Sequence, residues 1–313
     1  NKKTEKIKMN KDISRHFCGE IRAALLKISE SDFSRCQEIR LRVNRSLSVY
    51  TGDETLTADS SGLLSLPGRQ GIKVTEADIK YTFESICDYS VHSFSREIKS
   101  GFITVSGGHR AGFCGTAVSG SFDKLSTVKN ISGINLRIAR EVKGAATPLL
   151  RRLMKSFRFP SVIICGSVGS GKTTLLRDLS RQLGEYIKIS LIDSRGELAA
   201  VYNGVPALDV GMFTDVFDGY EKTEGIETAV RVMSPQIIIC DEIGGVASDS
   251  DIKALRYAKN SGVTIIASSH AASIDDIRAK NIDIFDYAVF LKGSEHPAEI
   301  LTIADMMGKV QYD

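Results

Sequence analysis

Nine consecutive residues constrain this chain more than any others: Gly166-Ser167-Val168-Gly169-Ser170-Gly171-Lys172-Thr173-Thr174. They fit the spacing G-x-x-x-x-G-K-[ST] of a phosphate-binding P-loop. An apolar run of strand length, Ser161-Val162-Ile163-Ile164-Cys165, precedes them, and Leu175, Leu176, Leu179 and Leu183 follow at helical spacing. Strand, tight loop and helix in that order belong to an α/β fold. Gly166, Gly169 and Gly171 let the backbone bend and approach a ligand closely. The loop amides, through Thr173 and Thr174, then form an anion nest at a helix N-terminus. Lys172 is expected to reach the β- and γ-phosphates of ATP, and Thr173 to place its hydroxyl on Mg2+.

Strands and helices alternate after the loop. Ile187–Ile192 reads as a strand, Gly225–Met233 as a helix, Gln236–Cys240 as a strand, Asp249–Asn260 as a helix and Val263–Ala267 as a strand. This alternation implies a parallel sheet covered on both faces. Gln236-Ile237-Ile238-Ile239-Cys240-Asp241-Glu242 is an apolar strand ending in two acids, the Walker B pattern. Asp241 is a candidate Mg2+ contact and Glu242 the candidate base that polarises water. The pair lies about seventy residues beyond the P-loop, a spacing that suits P-loop ATPases with an extra strand between the two Walker strands. Strand C-termini in such sheets face the ligand crevice. Asp193 is therefore a further candidate for the metal, and Glu197 for the catalytic water. His270, at the end of the strand through Ala267, is a candidate γ-phosphate sensor. The expected fold for residues 146–313 is a RecA-like P-loop ATPase domain.

Residues 1–145 read as a smaller α+β domain. Residues 1–11 carry five lysines and read as a tail. Ile13–Ile28 reads as a helix with Phe17, Ile21, Ala24, Leu25 and Ile28 on one face, and Thr75 opens a second helix with Asp78 completing a capping box. Glu38–Val43, Leu47–Tyr50, Phe102–Val105, Phe113–Val118 and Ile134–Ala139 read as strands, and 51–71 as loop. Gly144-Ala145-Ala146-Thr147-Pro148 is the candidate linker, and Leu149–Phe157 a short basic helix. The length of 313 residues suits two domains. A net charge of +3 argues against a nucleic-acid binder. The six cysteines form no C-x-x-C pair, so neither zinc nor a disulfide framework is expected, and a reducing cytoplasm follows. Neither a signal peptide nor a membrane-spanning run is legible, so any membrane link is expected to pass through partners.

The order P-loop, acidic box, Walker B and histidine box resembles the secretion (traffic) ATPases of type II and type IV systems. Arg231-Val232-Met233-Ser234-Pro235-Gln236 resembles their Arg-x-x-x-Pro-Asp run, with Gln236 in place of the acid and Asp-Glu where many of them carry Gly-Glu. Glu38–Arg42, Glu97–Thr104, Gly107–Arg110, Asn135–Ala139, Asp193–Glu197 and Asp241–Gly244 together resemble the stage III sporulation protein AA family, from about Glu38 onward. The resemblance implies a cytoplasmic ATPase of endospore-forming bacteria, peripheral to the membrane on the mother-cell side. It also implies ring-shaped homo-oligomers, hexamers in expectation, that serve a channel built from membrane proteins. Arg110, Arg137, Arg140 and Arg231 are candidates for an arginine acting on a neighbour's nucleotide. A nucleic-acid-dependent RecA-like motor and an ATP-dependent scaffold with little turnover are the alternatives.

Overall fold

The structure is a computed structural model describing residues 12–66, 71–119, 125–154, 159–243, 248–279, 282 and 284–312. The lysine-rich start, the end of the basic helix read through Phe157, and Gly244 lie outside the described residues. The chain divides into two compact units, Asn1–Arg140 and Glu141–Asp313.

The first unit is an antiparallel sheet with helices. Its strands are β1 (Glu38–Arg42), β2 (Ser48–Tyr50), β3 (Thr55–Ala58), β4 (Leu64–Ser65), β5 (Phe102–Val105), β6 (His109–Ser119) and β7 (Leu125–Arg137), in the order β4-β3-β2-β1-β7-β6-β5. Its helices are α1 (Gly19–Lys27), α2 (Glu30–Arg35), α3 (Glu76–Ile86) and α4 (Ser95–Ser100). Thr75 caps α3: its hydroxyl accepts from the Asp78 amide at 3.2 Å, and the Asp78 carboxylate accepts from the Thr75 amide at 2.9 Å. Two expectations change. The helix read from Ile13 is interrupted, and α1 begins only at Gly19, whose φ of 51° is left-handed. Phe17, Ile21, Ala24, Leu25 and Ile28 are nevertheless all buried, so apolar periodicity ran unbroken through a backbone break. The stretch read as loop from 51 to 71 contains β3 and β4, which extend the sheet from β2 by antiparallel pairing.

The second unit carries β8 (Val162–Cys165), β9 (Ile189–Asp193), the small hairpin β10 (Val201–Tyr202) and β11 (Val205–Pro206), β12 (Thr214–Asp218), β13 (Ile237–Cys240), β14 (Thr264–Ser269), β15 (Tyr287–Leu291), β16 (Ile300–Asp305) and β17 (Val310–Tyr312). Its helices are α5 (Thr147–Leu153), α6 (Lys172–Leu183), α7 (Lys222–Val232), α8 (Ser248–Asn260) and α9 (Ile274–Ala279). The main sheet runs β12-β9-β13-β14-β8-β15-β16-β17. The strands from β12 to β15 are mutually parallel, and β16 and β17 add antiparallel. β14 lies between β13 and β8, and so separates the Walker B strand from the P-loop strand.

Alternation along the central strands makes two cores. Val162 and Ile164 of β8, with Ile237 and Ile239 of β13, join α5 and α6 on one face. Ile163, Cys165, Ile238 and Cys240 face the other side with α7 and α8. Both faces are covered, which is why these strands read as unbroken apolar runs. Leu175, Leu176, Leu179 and Leu183 fix α6 to the sheet, each burial contributing about 1.5–3 kcal/mol. That packing anchors the helix whose first turn forms one wall of the site.

Candidate nucleotide site

The loop from Gly166 to Gly171 turns directly from β8 into α6. Gly169 and Gly171 have φ of 78° and 90°, the left-handed region that a side chain resists. Close packing adds a second constraint. A Cβ on Gly166 would lie 2.5 Å from the Ser170 Oγ, and one on Gly171 would meet the backbone of Ala298. The Ala298 amide donates to the Ser170 carbonyl at 2.7 Å, so the segment before β16 supports the loop from below. Ser170 is fully buried, whereas Val168 is 81% exposed at the loop crest. Lys172, Thr173 and Thr174 form the first turn of α6, whose amides have no preceding helical carbonyl to bond. With the helix dipole, that turn favours an anion.

The side chains converge above this turn. The Lys172 Nζ donates to the carbonyls of Gly166 at 2.8 Å and Ser167 at 2.9 Å, and lies 3.2 Å from the His270 Nδ1. Burial pulls its ammonium below the ordinary lysine value, against the attraction of Asp241 and Glu242. An ammonium only donates, so the His270 Nδ1 accepts and the ring proton sits on Nε2. That nitrogen faces the Glu242 Oε1 at 3.4 Å. The Thr173 Oγ1 donates to the Asp241 Oδ2 at 2.8 Å. The fully buried Ser268 ties the two acids together: its hydroxyl donates to the Asp241 Oδ1 and accepts from the Glu242 amide at 2.9 Å. Glu242 has a left-handed φ of 49°, and its carbonyl accepts from the Lys222 Nζ at 2.6 Å. Its Oε2 is paired with the Arg195 guanidinium.

Asp193 ends β9, and Glu197 follows four residues later in the loop. Asp193 is 1% exposed. Its Oδ1 accepts from the Glu197 amide at 2.8 Å, and its Oδ2 from the amides of Leu198 and Ala199 at 3.0 and 2.8 Å. Burial pushes the Asp193 carboxyl up, and the three amides, which favour its charged form, oppose that rise, so in geometry it organises its own loop. Arg177 of α6 completes the arrangement, donating to the carbonyls of Leu198 at 2.7 Å and Glu197 at 2.5 Å. The loop that carries Arg195 is thus fixed at its far end by a buried acid and a half-buried arginine.

The structure brings Lys172, Thr173, Asp241, Glu242 and His270 into one connected cluster, and turns Asp193 toward its own loop. Sequence reasoning missed Arg195, Ser268 and Lys222. The signal for Ser268 was its place at a strand end beside His270, and for Arg195 its place in the acidic box. Of the arginines flagged for action on a neighbour, Arg140 donates to the carbonyls of Phe33, Ser34 and Cys36. Arg137 pairs with Glu38 at 3.4 Å, and the Arg110 guanidinium lies 3.7 Å from the centre of the Phe102 ring. Arg231 is exposed on α7.

Thr173 and Asp241 offer adjacent hard oxygen donors, the donor type that Mg2+ takes together with substrate phosphates. The residues therefore fit that ion. Among the described residues, no helix is long and apolar enough to cross a membrane.

A P-loop between a central parallel strand and its helix, facing a Walker B strand one position removed, defines the RecA-like P-loop ATPase fold. Two solved structures share that fold with this chain. The Legionella pneumophila ATPase DotB superposes with a TM-score of 0.52 at 15% identity, covering 83% of this chain and 73% of its own. The pilus retraction motor PilT, solved with bound ADP, gives 0.54 at 14% identity over 82% and 74%. The chain belongs to the family described as sporulation stage III, protein AA, which matches residues 7–311. It is 31% identical over 300 residues to the stage III sporulation protein AA of Bacillus subtilis (strain 168), covering 92% of each chain.

Proposed function

We propose that this chain is a Mg2+-dependent ATPase that works as an oligomeric motor, in expectation a hexameric ring, on a membrane-embedded channel or secretion apparatus during endospore formation. The observation that carries the ATPase reading is the linked cluster Lys172, Thr173–Asp241 and Glu242 above the first turn of α6. Family membership and the fold shared with DotB and PilT support the motor reading.

The chemistry asked of these residues is positioning and charge stabilisation. The loop amides and Lys172 bind the β- and γ-phosphates; for that, Lys172 exchanges the carbonyls of Gly166 and Ser167 for phosphate oxygens. Thr173 and Asp241 hold Mg2+, which neutralises phosphate charge when bound. Glu242 orients and deprotonates the attacking water. Glu197, on the loop fixed by Asp193 and Arg177, is the next acid available to contact that water.

The test uses two variants of the whole chain. Lys172→Ala is expected to lose productive ATP binding. Glu242→Gln is expected to bind ATP and stall, with turnover reduced about 10²-fold or more, the range for losing a general base. Undiminished ATP binding by Lys172→Ala would show that the loop is not the phosphate site. A ring sharing residues between subunits further predicts that turnover per subunit rises with protein concentration. One observation favours the scaffold alternative: both Glu242 oxygens face cations or donors, Arg195 and His270, and a carboxylate is a poor base for as long as it stays so paired. Parent turnover at the background rate would select that alternative.

A further inference from the structure

The Arg195 side chain is 63% exposed, yet among the described residues its guanidinium is held by one group, the Glu242 carboxylate. It projects from the turn following Asp193, where the buried Asp193 carboxylate and the Arg177 guanidinium fix the loop on its far side. A positioned arginine in contact with the candidate base is poorly explained by surface pairing alone. An unbroken chain of polar contacts links it to the phosphate-binding lysine: Arg195 to Glu242, Glu242 to His270, His270 to Lys172. In this arrangement Glu242 is occupied on both oxygens, and Lys172 on three acceptors.

We propose that Arg195 exchanges Glu242 for the γ-phosphate of ATP within the same subunit, and so couples recognition of the triphosphate to release of the base. This rests on the ATPase reading above. A γ-phosphate carries more charge than a carboxylate and presents three oxygens to a guanidinium with five donors. It therefore outcompetes Glu242 for Arg195. Lys172 moves to phosphate in the same step, which relieves the His270 Nδ1 of its donor and loosens the ring from Glu242. Glu242 is then left with its amide anchored by Ser268 and its carboxylate facing the water it must orient. ADP has no γ-phosphate, so in the ADP state Arg195 stays on Glu242. Arg195 thereby adds to Lys172 a contact that only the triphosphate offers, and the arginine that completes the site comes from its own chain.

Equilibrium binding of a non-hydrolysable ATP analogue and of ADP, each with Mg2+, tests this on the full-length parent, Arg195→Ala and Arg195→Lys. The parent is expected to prefer the triphosphate. Arg195→Ala is expected to weaken analogue binding about tenfold or more, the range for losing a charge-assisted hydrogen bond, and to leave ADP binding unchanged. Arg195→Lys keeps the charge without the fork and is expected to fall between. The thermal midpoint of Arg195→Ala in the absence of nucleotide, expected to match the parent, separates this from a folding defect. An Arg195→Ala protein that keeps the parent's preference overturns the proposal, and does so most plainly if its turnover rises, because Arg195 would then only clamp Glu242. Equal parental affinity for the two nucleotides overturns it as well. A parent that binds neither nucleotide defeats the ATPase reading itself, which distinguishes the two failures.

Discussion

Ser268→Ala is the smallest change that should disconnect the two acids at the end of β13. The hydroxyl is fully buried and serves both at once, donating to the Asp241 Oδ1 and accepting from the Glu242 amide. Losing a hydrogen bond to a charged group costs about 1.5–3 kcal/mol, and a buried amide left without an acceptor costs about 1–3 kcal/mol. Glu242 is only partly buried, so water replaces part of the second loss, and the expected total is about 2–4 kcal/mol. For a unit of this size, each kcal/mol moves the melting midpoint by about 2–4 °C, so a drop of at least about 4 °C is expected. The second readout is Mg2+. With the Asp241 Oδ1 no longer held, the carboxylate is less well oriented toward Thr173, and half-maximal Mg2+ for nucleotide binding should rise. Calorimetry on the parent and the variant, with a Mg2+ titration of nucleotide binding, measures both effects. A midpoint within about 1 °C of the parent, with an unchanged Mg2+ requirement, would refute the claim that Ser268 organises the acids.

Two further outcomes follow from other parts of the chain. Gly171→Ala places a Cβ at φ 90° against the backbone of Ala298, so it should destabilise the loop by about 1–3 kcal/mol and abolish nucleotide binding; binding at parental affinity would contradict the close packing. In the first unit, His16 and His109 are held neutral: burial, reinforced by Arg15 for the former and by His16 and Arg140 for the latter, lowers each to about 4. The folded rings bind fewer protons than the unfolded ones between pH 4 and the ordinary histidine value, so their contribution is present at neutral pH and is lost as pH falls through that window. The His109 Nδ1 accepts from the Ala139 amide at 3.0 Å, a bond that protonation would destroy. Urea unfolding should lose up to about 3 kcal/mol per ring across that range, less in sum because the rings interact, and His109→Gln should flatten the curve; a flat parental curve would refute this.

The parts of the site made by local pattern were legible, and the parts made by register were not. The P-loop announces itself because glycine spacing, lysine and threonine are consecutive, and β13 because burial on both faces leaves an unbroken apolar run before two acids. That a strand separates the two Walker strands is expected from their spacing; that the strand is β14, later in the chain than both, is not. Edge structure was harder to see. β12 has two acids in five residues and buries only Phe217, so nothing in its composition marks a strand; it forms because β9 offers a parallel partner from Ile189 to Asp193. β3 is threonine-rich and stays in the sheet by pairing with β2. In the first unit, Gly107-Gly108-His109-Arg110 reads as a sharp glycine turn between two strands, and Gly107 and Gly108 do form the tight β5–β6 turn; that the His109 ring is buried on the Ala139 amide has no signal in the sequence.

Asp193 and Arg195 show why residue type alone does not place side chains in such a box. Both lie where strand C-termini meet the crevice, and an acid there suggests a metal ligand more readily than an arginine suggests a phosphate contact. Backbone geometry separates the two side chains. The turn that follows Asp193 curls back so that three amides point at its carboxylate, and the same curl swings Arg195 outward onto Glu242. Asp193 therefore acts on the site by holding the loop, and Arg195 acts on it directly. Three of the arginines favoured by sequence have contacts within their own unit: Arg140 with carbonyls, Arg137 with Glu38 and Arg110 with the face of Phe102. An arginine already resting on the candidate base needs no neighbour to deliver it. Subunit contacts in a ring would then raise turnover by adding to a cation the chain supplies for itself, so dilution should lower the rate without removing the preference for ATP over ADP.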